Sequence, residues 1–250
     1  MILDNFSLKG KVAIVTGSNT GLGQGICRAF VEAGALVAGV SRRPSTETAQ
    51  MLGAGFHNII ADLSSSSVAD GIIAQTVNRF GRVDILVNNA GLIKRCDSLD
   101  FSEEDWDSVL NVNLKTAFFL SQSAAKQFIK QGTGGKIINI ASMLSYQGGV
   151  RVPSYTASKS AIRGVTMTLA NEWARYGINV NAIAPGYMAT NNTEALRQDE
   201  ECSADILARI PAGRWGTPAD LEGAAVFLAS EASDYVNGFT LAVDGGWLGR

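Results

Sequence analysis

The chain has 250 residues, of which 46% are hydrophobic and 18% are charged, and its formal net charge is −2. These values are typical of a soluble globular protein with a large core, and the lack of a basic run argues against a nucleic-acid partner. The three cysteines are widely separated and His57 is the only histidine, so we expect a reduced cytoplasmic protein with no metal site and no histidine-dependent hydrolase activity.

The amino-terminal half is predicted to alternate strands with helices. Residues 1–10 contain Asp4 and no long apolar run, so we expect neither a signal peptide nor a membrane helix there. Helices are predicted from Gly21 to about Gly34 and over residues 67–81, and His57 is placed in a loop. Short apolar runs predict four strands, over Lys11–Thr16, Leu36–Val40, Asn58–Ala61 and Asp84–Gly91.

The carboxyl-terminal half continues this alternation. A long helix is predicted from about Asp105 to Gln131, with a capping box that begins at Ser102. A further helix is predicted to end near Gly177, and another to begin with Thr217 as its capping residue. Three more strands are predicted over Lys136–Ser142, Asn179–Gly186 and Thr240–Gly246.

This order of elements predicts an α/β fold. We expect a single doubly wound domain over residues 1–250, with a seven-stranded parallel sheet flanked by helices on both faces. In such a fold the ligand site lies at the carboxyl ends of the strands.

A glycine-rich turn follows the first predicted strand and opens the first helix. Gly17, Gly21 and Gly23 allow a tight turn whose backbone N–H groups can approach a pyrophosphate, and the helix dipole favours the same negative charge. A glycine-rich turn without a ligand is the alternative, but the position between strand and helix favours a dinucleotide site.

The end of the second predicted strand bears on the choice of dinucleotide. Ser41, Arg42 and Arg43 stand there, and an acidic residue that would bind the ribose hydroxyl of NAD is missing. Arginine at this place favours the 2′-phosphate of NADP, although two exposed arginines at a strand end are also common without any phosphate role.

Tyr155 and Lys159 lie four positions apart, and therefore on one face of the predicted helix. A lysine beside a tyrosine favours the phenolate, so we expect the pKa of Tyr155 to lie below its usual value. Taken alone, the pair is more typical of a solvated helix surface, and the other motifs of the chain decide between the two interpretations.

These motifs together resemble the classical short-chain dehydrogenases/reductases over essentially the whole chain. The glycine motif, Asp62, Asn88–Gly91, Asn113, Ser142, Tyr155, Lys159 and Pro185–Thr190 occur in the order and at the spacing of that family. The resemblance implies a Rossmann-type domain, an enzyme dependent on NAD or NADP, and a homotetramer.

The resemblance also implies a role for each catalytic residue. Tyr155 is similar to the general acid–base of the family, and Lys159 to the lysine that lowers the pKa of the tyrosine and holds the nicotinamide ribose. Ser142 is similar to the serine that binds the substrate oxygen, and Asn113 to the asparagine that holds a water between lysine and solvent.

The cofactor contacts implied by the resemblance come from six parts of the chain. They are Gly17, Asn19, Gly21, Leu22, Gly23, Ser41, Arg42, Asp62, Leu63, Asn89, Ala90, Gly91, Tyr155, Lys159, Pro185, Gly186, Met188 and Thr190. The preference between NAD and NADP stays open, because Arg42 favours NADP whereas similar family members often use NAD.

Several segments resemble family members that act on deoxy sugar acids in uronate, pectin or alginate breakdown. These segments are residues 88–95, 140–160, 181–193, 208–218 and 232–247. The resemblance implies interconversion of a ketone and a secondary alcohol between 2-dehydro-3-deoxy-D-gluconate and its 2,5-diketo form. The alternatives are a gluconate 5-dehydrogenase, a 3-oxoacyl thioester reductase, and a catalytically silent dinucleotide-binding sensor or scaffold.

A sugar acid carries a carboxylate and several hydroxyls, and the loops contain groups that suit both. We expect Arg95 or Arg151 to hold the carboxylate, since the planar guanidinium can bind it through two hydrogen bonds. Gln147 is expected to contact the substrate together with Ser142 and Tyr155, and residues 187–214 to form a mobile lid.

Overall fold

Seven parallel strands form one sheet in the order β3-β2-β1-β4-β5-β6-β7 in the computed structural model, which describes residues 1–250. The inner strands are short apolar runs that are largely buried on both faces, as a parallel sheet covered by helices requires, whereas the edge strands β3 and β7 are partly exposed. The strands are β1 Val12–Thr16, β2 Leu36–Ser41, β3 Phe56–Ile60, β4 Ile85–Asn88, β5 Gly135–Ile140, β6 Ile178–Pro185 and β7 Thr240–Val243.

Nine α-helices lie between or beside these strands. None of them combines the length with the apolar character that a membrane crossing requires. The helices are α1 Gly21–Glu32, α2 Thr46–Leu52, α3 Ala69–Phe80, α4 Glu103–Leu110, α5 Ala117–Gln131, α6 Pro153–Trp173, α7 Glu194–Gln198, α8 Glu200–Arg209 and α9 Pro218–Ala229.

The hydrophobic core has two large parts, one on each face of the sheet. On one face α1 and α9 pack together, and Phe30 and Leu228 lie in that part. On the other face α3, α5 and α6 contribute Ile72, Phe128 and Leu169. Each of these side chains stabilises the fold by about 1.5–3 kcal/mol, and together they hold the strand ends at fixed positions.

The strand order places a crevice between β1 and β4. The chain runs outward from β1 through β2 to β3 and then returns to form β4 on the other side of β1. The connections that leave the carboxyl ends of β1 and β4 therefore turn in opposite directions, and ligands bind at such a reversal in open α/β sheets. The predicted seven-stranded parallel architecture is confirmed.

Three of the secondary-structure predictions are wrong in detail. His57 lies within β3 rather than in a loop, and its ring meets the edge of Phe80 with centroids 6.1 Å apart. The predicted long helix is divided, because a π-helical turn over Asn111–Thr116 separates α4 from α5. Ser102 does cap α4, since its hydroxyl accepts the N–H of Asp105 at 3.1 Å, but the Asp105 carboxylate pairs with Lys94 instead of completing the capping box.

Candidate active site

A cleft of about 280 Å³ opens at the carboxyl ends of the strands, where the fold predicts a ligand site. Three of the four predicted catalytic residues line it, namely Ser142, Tyr155 and Lys159, whereas Asn113 lies just behind. Most of the predicted cofactor contacts also line it, namely Gly17, Asn19, Gly21, Leu22, Gly23, Asn89, Ala90, Gly91, Tyr155, Lys159, Pro185, Gly186, Met188 and Thr190.

The glycine turn forms one wall of the cleft. Gly17 has a φ of +69°, and a Cβ there would lie 2.8 Å from the amide nitrogen of Asn89. A Cβ on Gly23 would overlap the carbonyl oxygen of Gly17. Helix α1 begins at Gly21 with no side chain capping its first N–H groups, so these donors face the cleft without a protein partner. The turn therefore fits a pyrophosphate, which needs close backbone approach and free N–H donors.

The ends of β1 and β4 are joined by a pair of polar side chains. The Thr16 hydroxyl accepts the N–H groups of Asn89 and Ala90, both at 2.9 Å, and the Asn89 amide donates to the Thr16 carbonyl at 2.8 Å. Asn89 therefore both lines the cleft and holds the glycine turn against β4. Thr16 was missed from the sequence, because its position at the end of a buried strand carried no signal of a polar role.

Four predicted cofactor contacts lie outside the cleft. The Ser41 hydroxyl is buried and donates to the Arg43 carbonyl at 2.6 Å, and the Leu63 side chain belongs to the core. Asp62 and Arg42 are exposed beyond β3 and β2. Hydrogen bonds from Ser64 hold the pKa of Asp62 below its usual value, with a smaller contribution from the Arg42 charge. Of these four predicted contacts, only Arg42 and Asp62 have side chains that are accessible to a ligand extending beyond the cleft.

Helix α6 carries Tyr155 and Lys159, the predicted catalytic pair, and Pro153 stands at its first position, where a missing N–H costs nothing. The Lys159 ammonium lies 5.6 Å from the centre of the Tyr155 ring and donates to the carbonyl of Ile140 at 2.6 Å. It is 4% exposed, and burial lowers its pKa to about 8. The predicted spacing therefore does bring the two groups together.

The pKa prediction for Tyr155 is wrong for the protein without ligands. Burial raises the pKa of its phenol, and this outweighs the opposite effects of the Ser142 hydroxyl and the Arg95 guanidinium. The physical reason is desolvation: the same enclosure that lowers the pKa of Lys159 penalises the phenolate. At neutral pH Tyr155 is therefore a phenol, ready to give a proton.

Ser142 stands two residues after the end of β5 and begins a loop over residues 142–151, which we call the serine loop. Its hydroxyl accepts the N–H of Leu144 at 3.1 Å, so the side chain caps a short turn. The Ser145 hydroxyl donates to the carbonyl of Lys159 at 2.5 Å and thereby ties the loop to α6. These two bonds hold Ser142 on the side of the cleft where Tyr155 lies.

Asn113 stands in the π-helical turn behind the cleft. Its amide oxygen accepts the N–H of Leu92 at 2.9 Å, and its amide nitrogen donates to the Leu92 carbonyl at 3.0 Å and to the Ser158 hydroxyl at 3.1 Å. The side chain therefore anchors the segment after β4 to α6. π-helical turns are frequent at functional sites, and this one is bonded to α6 at Ser158, between Tyr155 and Lys159.

Three cations follow β4 and β5, and two of them are paired with carboxylates. Lys94 lies 2.8 Å from Asp105, and Arg151 lies 3.2 Å from Asp97. Arg95 has no acidic partner and donates to the backbone carbonyl of Asn192 at 3.2 Å. Arg151 is also the one residue other than glycine with a left-handed backbone, at a φ of +63°. Of the two predicted carboxylate ligands, Arg95 is the one that influences the Tyr155 phenol.

Residues 187–214, the predicted lid and here called the lid segment, contain α7 and α8, and within them Met188 and residues 190–193 line the cleft. Their packing depends on aromatic side chains that the sequence did not single out. Tyr187 meets Trp215 and Trp247 with ring centroids 5.6 and 4.8 Å apart. The only feature of the sequence that could have indicated this aromatic packing is a tryptophan close to the carboxyl terminus. Gln147, a predicted substrate contact, does not itself line the cleft, and its amide oxygen accepts the indole N–H of Trp247.

Known proteins resemble this chain over its full length. A family model described as enoyl-(acyl carrier protein) reductase matches residues 17–248. The 2-dehydro-3-deoxy-D-gluconate 5-dehydrogenase of Escherichia coli K12 is 62% identical over 100% of both chains. The enzyme of the same name from Bacillus subtilis 168 is 56% identical over 99% of this chain and 98% of its own.

A solved structure agrees with the observed fold. A crystal structure from Agrobacterium tumefaciens, provisionally described as a 2-deoxy-D-gluconate 3-dehydrogenase with bound NADP, has a TM-score of 0.94. It is 53% identical and covers 98% of this chain and 99% of its own. Similarity at this level includes the loops around the cleft as well as the sheet.

Proposed function

Because the chain belongs to the short-chain dehydrogenase/reductase family, we propose that it is an NAD(P)-dependent oxidoreductase of a deoxy sugar acid. The reaction interconverts 2-dehydro-3-deoxy-D-gluconate and its 2,5-diketo form, as in breakdown of uronate polymers. One observation carries the chemistry: Ser142, Tyr155 and Lys159 line the same cleft as the glycine turn. The full-length identity of 62% to an enzyme of that name supports the substrate.

The protein supplies the proton and the oxygen-binding groups of the reaction. The bound nicotinamide nucleotide supplies or accepts the hydride. Tyr155 gives its phenolic proton to the substrate oxygen as the carbonyl becomes an alcohol, and takes it back in the oxidation. The raised pKa of Tyr155 keeps this proton in place at neutral pH. Ser142 donates a hydrogen bond to the same oxygen, where negative charge develops.

Lys159 and Asn113 act behind the reacting groups. The ammonium of Lys159 lies at the floor of the cleft and is placed to bind the hydroxyls of the nicotinamide ribose. Asn113 places the segment after β4, and a water held at its backbone in the π-helical turn is our proposal for the link from Lys159 to solvent. Both residues position groups around Tyr155, and neither exchanges hydrogen with the substrate.

The nucleotide lies along the glycine turn and the Asn89–Gly91 segment, with its adenosine end towards Asp62 and Arg42. The Arg42 guanidinium is exposed at the end of β2, where a 2′-phosphate would be accessible to it. The similar Agrobacterium structure binds NADP. These observations support use of NADP, and the family resemblance leaves NAD as an additional cofactor.

The substrate carboxylate is assigned to Arg95. Arg95 contacts the cleft residue Asn192, its charge acts on Tyr155 and it has no acidic partner, whereas Lys94 and Arg151 are already paired. A guanidinium free of carboxylates binds an incoming carboxylate without first breaking an ion pair. Arg151 instead holds its own loop through Asp97, and the Asn191 and Asn192 side chains at the cleft are placed to meet substrate hydroxyls.

The proposal also covers the oligomeric state and the cellular location of the protein. We propose a homotetramer, in line with the family resemblance. We also propose a cytoplasmic location, which the three free cysteines support because unpaired thiols are typical of proteins in reducing compartments.

The test follows the absorbance of the reduced nicotinamide. NADH and NADPH are offered separately with the 2,5-diketo deoxy sugar acid, with 5-keto-gluconate and with an acetoacetyl thioester. The expected result is rapid turnover of the deoxy sugar acid only, and a lower KM for NADPH that Arg42→Ser removes. Turnover of only the thioester, or of only 5-keto-gluconate, would overturn the proposed substrate.

A matched pair of variants tests the carboxylate assignment. Arg95→Met is expected to raise the KM for the acid about tenfold or more, because one charge-assisted contact is worth about 1.5–3 kcal/mol. Arg151→Met removes a cation that is already paired and is expected to change this KM by less than about threefold. The reverse order of effects would transfer the role to Arg151.

A further inference from the structure

The carboxyl-terminal turn over residues 244–250 lies between the lid segment and the serine loop. Trp247 in this turn is 5% exposed. Its cluster contains Met143 from the serine loop and Ile206 and Ile210 from the lid segment. The last residues of the chain therefore contact both structures that enclose the substrate side of the cleft.

The backbone of this turn is held in place by Asp244. Its carboxylate accepts the N–H groups of Gly246 at 2.9 Å and of Leu248 at 2.8 Å. Gly246 has a φ of +92°, and a Cβ there would lie 3.0 Å from the ring of Pro211 at the end of the lid segment. The turn therefore packs closely against the lid segment and presents Trp247 in one orientation.

Two further contacts hold the Trp247 ring. The Tyr187 ring lies 4.8 Å away, centroid to centroid, and the Arg209 guanidinium lies 4.1 Å above the indole. Aromatic and cation–π contacts of this kind are each worth about 0.5–2 kcal/mol when partly desolvated. The indole is therefore clamped by the first residue of the lid segment and by the end of α8.

The indole N–H points away from the lid segment and donates to the Gln147 amide oxygen at 3.2 Å. An indole N–H is a donor only, so the amide can present only its oxygen to Trp247. The amide NH₂ is then turned the other way, and it donates no hydrogen bond within the protein. Gln147 is itself held one turn from Ser142, since its N–H donates to the Met143 carbonyl at 3.2 Å.

We propose that Trp247 is a positioning residue that fixes the orientation of the Gln147 amide, so that its NH₂ group donates to an oxygen of the substrate. A carboxylate or hydroxyl oxygen is the matching acceptor, and the inference rests on the proposed sugar-acid function for that chemistry. Through Tyr187 and Arg209, the same indole makes the orientation of Gln147 depend on the placement of the lid segment.

The test is a double-mutant cycle on steady-state kinetics. Trp247→Phe keeps a ring for Tyr187 and Arg209 but removes the N–H, and Gln147→Met keeps the chain length but removes the amide. Each is expected to raise the KM for the sugar acid about five- to tenfold, with kcat and the nucleotide KM within about twofold of the wild type. Because both act through one hydrogen bond, the double variant is expected to match Gln147→Met alone.

Two further variants separate orientation from structure. Gln147→Glu keeps an oxygen for the indole but replaces the NH₂ group by an acceptor, and is expected to raise the KM for the acid more than Gln147→Met does. Trp215→Phe removes the indole N–H of a neighbouring ring that donates no side-chain hydrogen bond, and is expected to leave the KM unchanged.

The inference would be overturned if Trp247→Phe and Gln147→Met had additive effects on the KM for the sugar acid. It would also be overturned if Trp247→Phe impaired kcat and the nucleotide KM as much as the KM for the acid. Failure of the proposed function is recognised separately, because the wild-type protein would then not turn over the sugar acid. In that case the double-mutant cycle is measured with a hydroxy or keto acid that the wild type does accept. The inference still predicts that Trp247→Phe and Gln147→Met have non-additive effects on the KM for that acid.

Discussion

The two walls of the cleft present different chemical groups. The nucleotide wall, formed by residues 17–23 and 89–91, presents glycines, backbone N–H groups and neutral amides. The substrate wall, formed by residues 92–97, the serine loop, the lid segment and the carboxyl-terminal turn, presents cations and aromatic rings. Tyr155 and Lys159 stand where the two walls meet.

This difference follows from what each wall has to recognise. A pyrophosphate is bound by backbone donors, so the nucleotide wall excludes side-chain atoms and tolerates little change. A sugar acid is recognised by its carboxylate and hydroxyls, and side chains on loops supply those contacts while the scaffold stays the same. Substitutions in the first wall should therefore weaken cofactor binding, whereas substitutions at Arg95 or Gln147 in the second should mainly change the KM for the substrate.

Tyr155→Phe should have the largest effect, because it removes the proposed proton donor, which lies where the two walls meet. We expect kcat to fall about 10²- to 10⁴-fold on every substrate, the contribution usual for a general acid. Nucleotide binding, measured by fluorescence titration, should stay within about threefold. Tyr176→Phe, at an exposed tyrosine near the end of α6, is the matched control and should be fully active. Retention of more than a tenth of the wild-type kcat would exclude Tyr155 as the acid.

Gly23→Ala tests the nucleotide wall alone. The added methyl group would overlap the carbonyl oxygen of Gly17, so the turn must shift. We expect the dissociation constant for the nucleotide to rise at least tenfold and the free energy of unfolding to fall by about 1–3 kcal/mol. Both are measured on the same samples, by fluorescence titration and by urea unfolding.

The control is Gly223→Ala in α9, where an added Cβ meets nothing within 4 Å. That change should leave nucleotide binding unaltered and stabilise the helix by up to about 1 kcal/mol. If both alanine variants bind the nucleotide equally well, the glycine turn does not form the nucleotide wall.

The smallest effect is expected from the pH dependence of Lys159. Burial lowers its pKa from 10.5 to about 8 in the folded protein, whereas the unfolded chain has the ordinary value. Between these values the unfolded state binds more protons, so stability rises with pH. Relative to Lys159→Met, the wild type should gain about 2 kcal/mol in its free energy of unfolding between pH 7 and pH 9.5.

Urea unfolding at several pH values measures this difference. Lys126→Met, at an exposed lysine of α5, is the control and should follow the wild type throughout the range. An unchanged difference between wild type and Lys159→Met would mean that the ammonium is not desolvated in the folded protein.

Strands were easier to predict than the segments that cover the cleft. All seven strands overlap the apolar runs that predicted them, although β3 begins two residues earlier than predicted, because a buried parallel strand has to be apolar on both faces. Helices α2, α7 and α8 were not predicted, since each is short or carries a weak apolar pattern. The π-helical turn at Asn113 was also missed, as an extra residue within a helix leaves no mark on a helical pattern.

By itself the sequence determined the order of strands and helices, the glycine turn and the four-residue spacing of Tyr155 and Lys159. These features depend on periodicity and on backbone freedom, which neighbouring residues alone specify. Only the tertiary structure decided that Arg95 is the cation without a carboxylate, that burial raises the pKa of Tyr155, and that Trp247 bonds to Gln147 from 100 residues away. Ion pairing, desolvation and distant contacts depend on which surfaces pack together, and no local pattern contains that information.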